Sequence, residues 1–574
     1  MIKRLAGCVR QYKKDIIISV CTMVMAAVLE VLIPYLMANI IDYGITPGDM
    51  NATLSVGGML VGASLLSLCL GLVSARFLAS ASAGFIKNVR KDLYYHITNF
   101  PFQSIDKFST ASLITRLTTD ISSIHGAFSL MVRVCSRSPL IMLFSLFMAF
   151  RINSQLALIF LFVLPLLGIL IYIIIRIAFP LFRKALKTYD QLNSAIGENL
   201  KGIRVVKSFV REDFETEKLK KVSKNMQDTF TKAEKIVAFF NPTMQFAIYL
   251  CTILLAWFGA HHIVIHGMSI GQLMSLIIYI NHILFALIMI SMLFINLAMS
   301  RASAERIVEV FDEEIVLKNP DNPITEIPNG DITFENVGFG YSPGKLVLED
   351  INLHIKSGQT IGVLGGTGSS KTSLVQLIPR LYDTVQGAIK VGGIDVRQLD
   401  MATLRNHVSM VLQKNTLFTG TVSANLKWGN TSATQEELEQ VCKMAMAHDF
   451  VMGLEDKYET YIDQGGVNLS GGQRQRLCIA RALLKRPKII IFDDSTSAVD
   501  TSTEGEILKS IKETLPTTTK IIISQRISTV QNLDTILLMH NRKIIASGTH
   551  QELLATNEIY QEIYNSQSKE EDRE

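Results

Sequence analysis

Six apolar stretches crowd the first 300 residues of this chain, and they restrict its fold more than any other feature. They run over residues 16–41, 54–75, 134–150, 155–175, 239–264 and 273–299. A helix needs about 20 apolar residues to cross the hydrocarbon core of a bilayer. The expectation is an α-helical membrane domain of six spans over residues 1–300. The third stretch is the least clean, because Arg133, Arg137 and Pro139 crowd its start. The basic opening (Lys3, Arg4, Arg10, Lys13, Lys14) resembles the start of a signal peptide. However, the apolar run behind it far exceeds a signal's roughly 7–15 residues, and no small-residue cleavage site closes it. It is read as a retained first span.

Lys and Arg set the orientation. Residues 42–53 and 261–271 contain neither, and residues 151–154 contain one, whereas the other connections are rich in them. By the positive-inside rule both termini and the second half of the chain are cytoplasmic. The connections 76–133 and 176–237 are too long for simple turns and carry helix-like patterns, so the spans are expected to extend into the cytosol, with tips near Phe100-Pro101-Phe102 and residues 210–214. Polar residues inside spans need a partner or a use; Glu30, Asn281, His282 and Asn296 are the clearest. His282, Phe285, Met289, Met292 and Asn296 recur at spacings of three and four, which places them on one helix face. That face suits either helix packing or a wall for apolar ligands.

A net charge of +5 on 574 residues gives no case for nucleic-acid binding. The seven cysteines are scattered without a C-x-x-C pair, as small buried hydrophobes are. A charged helix-like stretch, 301–314, leads to Pro320, Pro323 and Pro328, so 301–328 reads as a linker. Beyond it, β-rich runs (332–337, 408–412, 488–492, 520–524, 535–539) alternate with helical patterns, the sign of an α/β domain with a largely parallel sheet over 329–566. The charged end, 567–574, reads as a disordered tail.

Within that second domain an apolar run, 360–364, meets Gly365-Gly366-Thr367-Gly368-Ser369-Ser370-Lys371-Thr372-Ser373 and then a helix-like run. Strand, glycine-rich turn and helix start together form a cradle in which backbone N–H groups converge on a phosphate; Lys371 adds positive charge and Thr372 a hydroxyl for Mg²⁺. Ser370 stands where the usual G-x-x-x-x-G-K-[ST] pattern has glycine. On its own this turn is equally compatible with an ordinary Gly/Ser loop. Further pieces support the cradle. The apolar run 489–492 ends in Asp493-Asp494, a carboxylate at a strand end where Mg²⁺ is held, with Asp493 as the metal residue. Leu469-Ser470-Gly471-Gly472-Gln473-Arg474-Gln475-Arg476 combines a hydroxyl, two close-approach glycines and a helix start, a second phosphate-binding terminus.

The order of Gly365–Thr372, Gln413, Leu469–Gln473, Asp493 and Ser497-Ala498-Val499-Asp500 closely resembles an ABC transporter nucleotide-binding domain. With six spans before it, the whole chain resembles a half-transporter of the multidrug exporter type. That resemblance implies ATP and Mg²⁺ as cofactors. It implies Tyr341 stacking on adenine, residues 365–373 on the phosphates, and Thr372, Gln413 and Asp493 around the metal. Gln413 would also touch the attacking water, Asp500 would lie where paired ATPase domains meet, and Ser470–Gln473 would close on ATP held by a partner subunit. The tips near Phe102 and Phe214 resemble coupling helices.

Two positions depart from the family pattern. Where Glu is expected to polarise the attacking water the chain has Asp494, and where the switch histidine is expected it has Gln525. Aspartate is one methylene shorter, and glutamine cannot carry the charge of a histidinium. The expectation is a weakly hydrolysing site on this chain and an intact signature serving a non-identical half-transporter with Glu and His in place, as in bacterial heterodimeric multidrug exporters. ATP-driven export of amphipathic or hydrophobic compounds across the plasma membrane follows; a lipid or peptide flippase, or an ATP-gated regulatory membrane protein, are the alternatives.

Overall fold

The computed structural model describes residues 2–265, 267–342, 344–366, 368–494 and 500–571. Two compact units emerge: residues 1–98 with 109–313, and residues 99–108 with 314–574.

Among the described residues the first unit contains six helices long and apolar enough to cross a membrane: Arg10–Ile45, Met50–Thr98, Thr110–Ile152, Ser154–Ala178, Glu212–Val264 and Ile270–Asp312. Each contains one of the expected apolar stretches. The second, 49 residues long, would reach about 74 Å at 1.5 Å per residue, more than twice the hydrocarbon thickness. The third continues through Pro139 without a break in the helix assigned over Ile121–Ile152. Small polar residues tie the spans together where apolar contact offers no direction. The Ser19 and Ser74 hydroxyls each donate to the other's carbonyl at 3.0 and 2.9 Å, and Tyr279 donates to the Val31 carbonyl at 2.9 Å. At the other end Asp42 accepts from Ser269 and from the Gly271 amide; a Cβ on Gly271 would lie 2.4 Å from the Ala38 carbonyl oxygen, so only glycine fits this crossing.

The stretch 301–328 begins inside the sixth helix. The sixth helix runs unbroken from Ile270 to Asp312, because nothing before Pro320 interrupts its hydrogen bonding and its charges are paired. Arg306 pairs with buried Asp120, and Glu309 with buried Arg116 at 2.8 Å.

Among the described residues the second unit has three sheets. β1 (Ile332–Phe339), β2 (Leu348–Ile355), β4 (Gln386–Val391) and β5 (Ile394–Asp395) form an antiparallel sheet, so the run at 332 does not join the parallel one. The central sheet has the order β12-β11-β3-β10-β9-β6, from β3 (Thr360–Leu364), β6 (Val408–Val411), β9 (Ile489–Asp493), β10 (Thr519–Ile523), β11 (Thr535–His540) and β12 (Lys543–Gly548). Its neighbours are parallel except at β11–β12. All residues of β3, β9 and β10 are buried, which explains why their apolar residues run consecutively instead of alternating: a parallel strand is covered on both faces. β7 (Gly420–Thr421) and β8 (Tyr461–Ile462) pair beside a core in which helix residues such as Leu438, Cys442, Leu477 and Ile479 pack with Val411, Ile490, Phe492 and Ile522 of the central sheet.

Of the stretch 567–574, residues 572–574 lie outside the described residues. A helix, Glu558–Glu571, extends into that stretch. Tyr560 is fully buried, Ile563 and Tyr564 pack beside it, and Gln567 continues the same face one turn on.

Candidate functional site

Four adjacent parallel strands, β3, β10, β9 and β6, end at one edge of the central sheet, and each delivers one part of the site. β3 runs into the glycine-rich turn, β10 into Ser524-Gln525, β9 into Asp493-Asp494, and β6 is followed shortly by Gln413. The register pairs Ile523 with both Val363 and Asp493, so these ends are level. Segments up to about 160 residues apart in sequence thus converge within a few strand spacings.

In the turn, the Lys371 ammonium donates to the Gly365 and Gly366 carbonyls at 2.7 and 3.0 Å and to the Ser369 hydroxyl at 3.4 Å. It is 8% exposed, and burial lowers its pKa against the pull of Asp494 and Asp493. Ser370, the departure from the glycine pattern, has φ 69°, a left-handed conformation that glycine adopts without strain. Gly368 is left-handed as well, at φ 82°. A Cβ on Gly365 would collide with the Met539 carbonyl oxygen at 2.5 Å, whereas one on Gly366 would meet nothing within 4 Å, so the turn is packed behind and open in front. Ser373 lies in the helix Lys371–Gln376 and shares a 2.9 Å hydrogen bond with the Tyr341 hydroxyl. Thr367 lies outside the described residues, as do Ser497, Ala498 and Val499.

The Thr372 hydroxyl donates to Asp493 at 2.8 Å. Asp493 is 2% exposed, and burial raises its pKa. No cluster of three or more His, Cys, Asp or Glu suited to a metal occurs among the described residues. The donor set is instead a hydroxyl, one carboxylate and the nearby Gln413 amide. That all-oxygen set fits Mg²⁺, which keeps several waters and takes few protein ligands beside phosphate oxygens.

Gln413 and Gln525 converge on Asp494 rather than Asp493. Both side-chain amides donate to Asp494 Oδ2 at 3.3 Å. Asp494 has φ 48°, and its own amide donates to the Ile523 carbonyl at 3.2 Å, fixing the residue against β10.

Tyr341 follows β1 and is 41% exposed. Its hydroxyl also lies 3.4 Å from Gln376 Oε1, and the Tyr382 ring meets it edge-on at 5.2 Å. An aromatic face fixed at its rim and open on one side suits a planar base.

Ser470 caps the helix Gly471–Leu484: its hydroxyl accepts from the Gln473 amide, and the Gln473 side chain accepts from the Ser470 amide at 2.9 Å. No hydrogen bond joins Ser470–Gln473 to residues 365–373 among the described residues. Asp500 caps Thr501–Thr514, accepting from the Thr503 amide at 2.9 Å.

Three residues escaped the sequence reading. Tyr382 donates to Asp106 at 2.7 Å and lies 6.2 Å, ring to ring, from Phe102, linking the segment 99–108 to the aromatic group around Tyr341. Burial and the Asp106 carboxylate push the Tyr382 phenol well above its ordinary range. Gln567 donates to the Gln525 carbonyl at 2.7 Å and accepts from the Ile527 amide at 2.8 Å. The spacing of Tyr560, Ile563 and Tyr564 was the available signal for the helix that carries it.

Comparison with known proteins agrees with this architecture. Residues 16–288 match the ABC transporter transmembrane region family and residues 348–497 the ABC transporter family. The chain is 33% identical over 551 residues, 96% of each chain, to the uncharacterized ABC transporter ATP-binding protein YfiB of Bacillus subtilis. It is 29% identical, over 99% of each chain, to a protein of Desulfotalea psychrophila named ATP-dependent lipid A-core flippase. The structure of a bacterial Atm1-family ABC exporter with ATP bound superposes with a TM-score of 0.82 at 21% identity, covering 97% of this chain and 98% of that one. Six apolar helices, a parallel-sheet domain with a phosphate turn, and similarity along almost the whole length place the chain in the ABC transporter family, as an exporter-type half-transporter with its membrane and ATPase domains fused.

Proposed function

We propose that this chain is one half of a heterodimeric exporter of amphipathic or hydrophobic compounds. Its own ATP site hydrolyses slowly, and its signature turn acts on nucleotide bound by a different partner. One observation carries the reading: the residue in the base position, Asp494, is short and accepts from both Gln413 and Gln525 at 3.3 Å. A water-polarising carboxylate needs reach and an available oxygen. Here the switch position stabilises the carboxylate instead of presenting charge to a phosphate.

In this reading residues 365–373 hold the phosphates, Tyr341 holds the base, and Thr372, Asp493 and Gln413 hold Mg²⁺. MgATP supplies the phosphoryl bond whose cleavage drives the cycle. Ser470, Gly471, Gly472 and Gln473 reach the partner's nucleotide, with Asp500 at the contact between domains. The partner carries Glu and His at the positions matching Asp494 and Gln525. ATP draws the two ATPase domains together and turns the membrane cavity outward; cleavage at the partner's site resets it. The slow site stays closed over several turnovers and biases the equilibrium between the two states. The chain sits in a bacterial plasma membrane with both termini cytoplasmic.

ATPase assays of the purified chain, alone and with a candidate half-transporter that carries Glu and His at the matching positions, test the proposal. Alone, turnover stays near background; together, it rises and is lost on mutating the partner's Glu. A homodimer of this chain working at full exporter rates would overturn it. The relative named as a lipid A-core flippase favours a second reading, in which the compound moved is a lipid; ATP-driven dye accumulation set against lipid translocation in the same vesicles separates the two.

A further inference from the structure

Between the first, third and sixth spans lies a cavity of about 250 Å³ lined by Glu30, Arg133, Arg137 and His282, with Phe285 and Met289 among its apolar lining. Arg137 holds Glu30 through two nitrogens: Nη2 donates to both carboxylate oxygens at 2.8 and 2.7 Å, and Nε donates to one of them at 3.2 Å. The three polar positions share a depth. Counted from the ends of their helices at Ile45, Ile152 and Ile270, at about 1.5 Å per residue, Glu30, Arg137 and His282 lie roughly 18–23 Å in. These ends border the connections poor in Lys and Arg, so the cluster sits in the inner half of the bilayer.

A half-exposed guanidinium at that depth is costly against lipid and acceptable against water or a polar ligand. Glu30 neutralises Arg137. Arg133, one turn away on the same helix, has no ion pair among the described residues. His282 Nδ1 is buried without a hydrogen-bond partner among them. The cavity therefore holds one uncompensated positive charge, a two-pronged guanidinium fixed in place, an unused ring nitrogen and an apolar wall.

We infer that this cavity binds the anionic head, a phosphate or carboxylate, of an amphipathic substrate, with its hydrocarbon against Phe285 and Met289. The inference rests on the export reading and narrows it: substrates with negative heads are favoured and lipophilic cations are not. Arg133 supplies the charge that recognises the head. Arg137 adds directional donors, and Glu30 keeps it aimed. A cation would find Glu30 already occupied by Arg137 and would face Arg133 at close range.

Equilibrium dialysis of the full chain in lipid nanodiscs tests this with two amphiphiles of equal tail length, octyl phosphate and octyltrimethylammonium, after subtracting empty nanodiscs. Octyl phosphate is expected to bind saturably and the cation not. R133Q should weaken octyl phosphate about tenfold or more, the loss of one charge-assisted contact. R133Q leaves no carboxylate unpaired; the double change E30Q/R137Q, which removes both members of the ion pair, serves as a second variant and should weaken binding as well. Equal binding of both amphiphiles, or octyl phosphate binding unchanged in both variants, overturns the site. ATP-driven uptake into inverted vesicles carrying this chain with its partner half separates the two claims. Uptake of the cation without saturable anion binding removes the site and leaves export standing. Saturable anion binding that R133Q weakens, without uptake of either amphiphile, keeps the site and removes export.

Discussion

The Tyr382 hydroxyl donates to the Asp106 carboxylate at 2.7 Å across 276 residues of sequence. Tyr382 also meets Tyr341, whose exposed ring is the proposed adenine platform, so the segment between the second and third spans connects to the base position through two aromatic rings. Y382F and D106N are expected to reduce substrate stimulation of ATPase several-fold while basal turnover changes little. A double-mutant cycle should give a coupling of about 1.5–3 kcal/mol, as for a hydrogen bond to a charged group. Independent, additive effects would show that this contact carries no coupling.

Restoring the base position should help only in part. D494E lengthens the carboxylate but leaves Gln525 donating to it, so turnover at this site is expected to rise at most about tenfold. D494E with Q525H should recover much of the roughly 10²–10⁴ that a positioned base contributes. Single-turnover assays against a partner with its own Glu disabled isolate this site; a full recovery by D494E alone would assign the defect to reach and clear Gln525.

Burial holds the Asp493 carboxyl above the ordinary aspartate value of 3.8, with Asp494 reinforcing the shift and Thr372 and Lys371 opposing it. A carboxyl raised in the folded state contributes stability below its unfolded value and loses that contribution as pH climbs through the folded value. Nucleotide-free protein is therefore expected to become less stable, through this group, as pH rises above about 4. D493N removes that penalty at pH 7 and should raise Tm, while MgATP no longer stabilises the variant. Thermal melts with and without MgATP, at pH 5 and pH 8, read both effects.

Gln567 braces the switch strand end through two backbone hydrogen bonds. Q567A should increase hydrogen exchange at the Ile527 amide about tenfold, the equivalent of roughly one hydrogen bond, and leave the core of β10 unchanged. Mass-spectrometric exchange on peptides covering residues 524–530 would detect it.

The buried parallel strands were legible because burial on both faces forces unbroken apolar runs such as Ile489-Ile490-Ile491-Phe492. The phosphate turn was legible because close approach and left-handed backbone demand glycine, and Ser370 shows the demand even in breaking it. The Asp106–Tyr382 bond left no local trace, since neither residue has a pattern that points 276 positions away. The helix end at Gln567 was hidden by composition: polar residues at its exposed positions outnumber the few apolar ones that fix it. The charged end of the sixth helix was legible as helix but its partners were not, because its charges are answered by Arg116 and Asp120, almost 200 residues earlier.

Those two ion pairs run antiparallel, each helix giving one cation and one anion. A slip of one turn in one direction would bring Arg116 opposite Arg306; in the other direction it would bring Asp120 opposite Glu309. The inner ends of the third and sixth helices are thus locked in register like a toothed rack, and a compound entering from the cytosol has to pass on the far side of one of them.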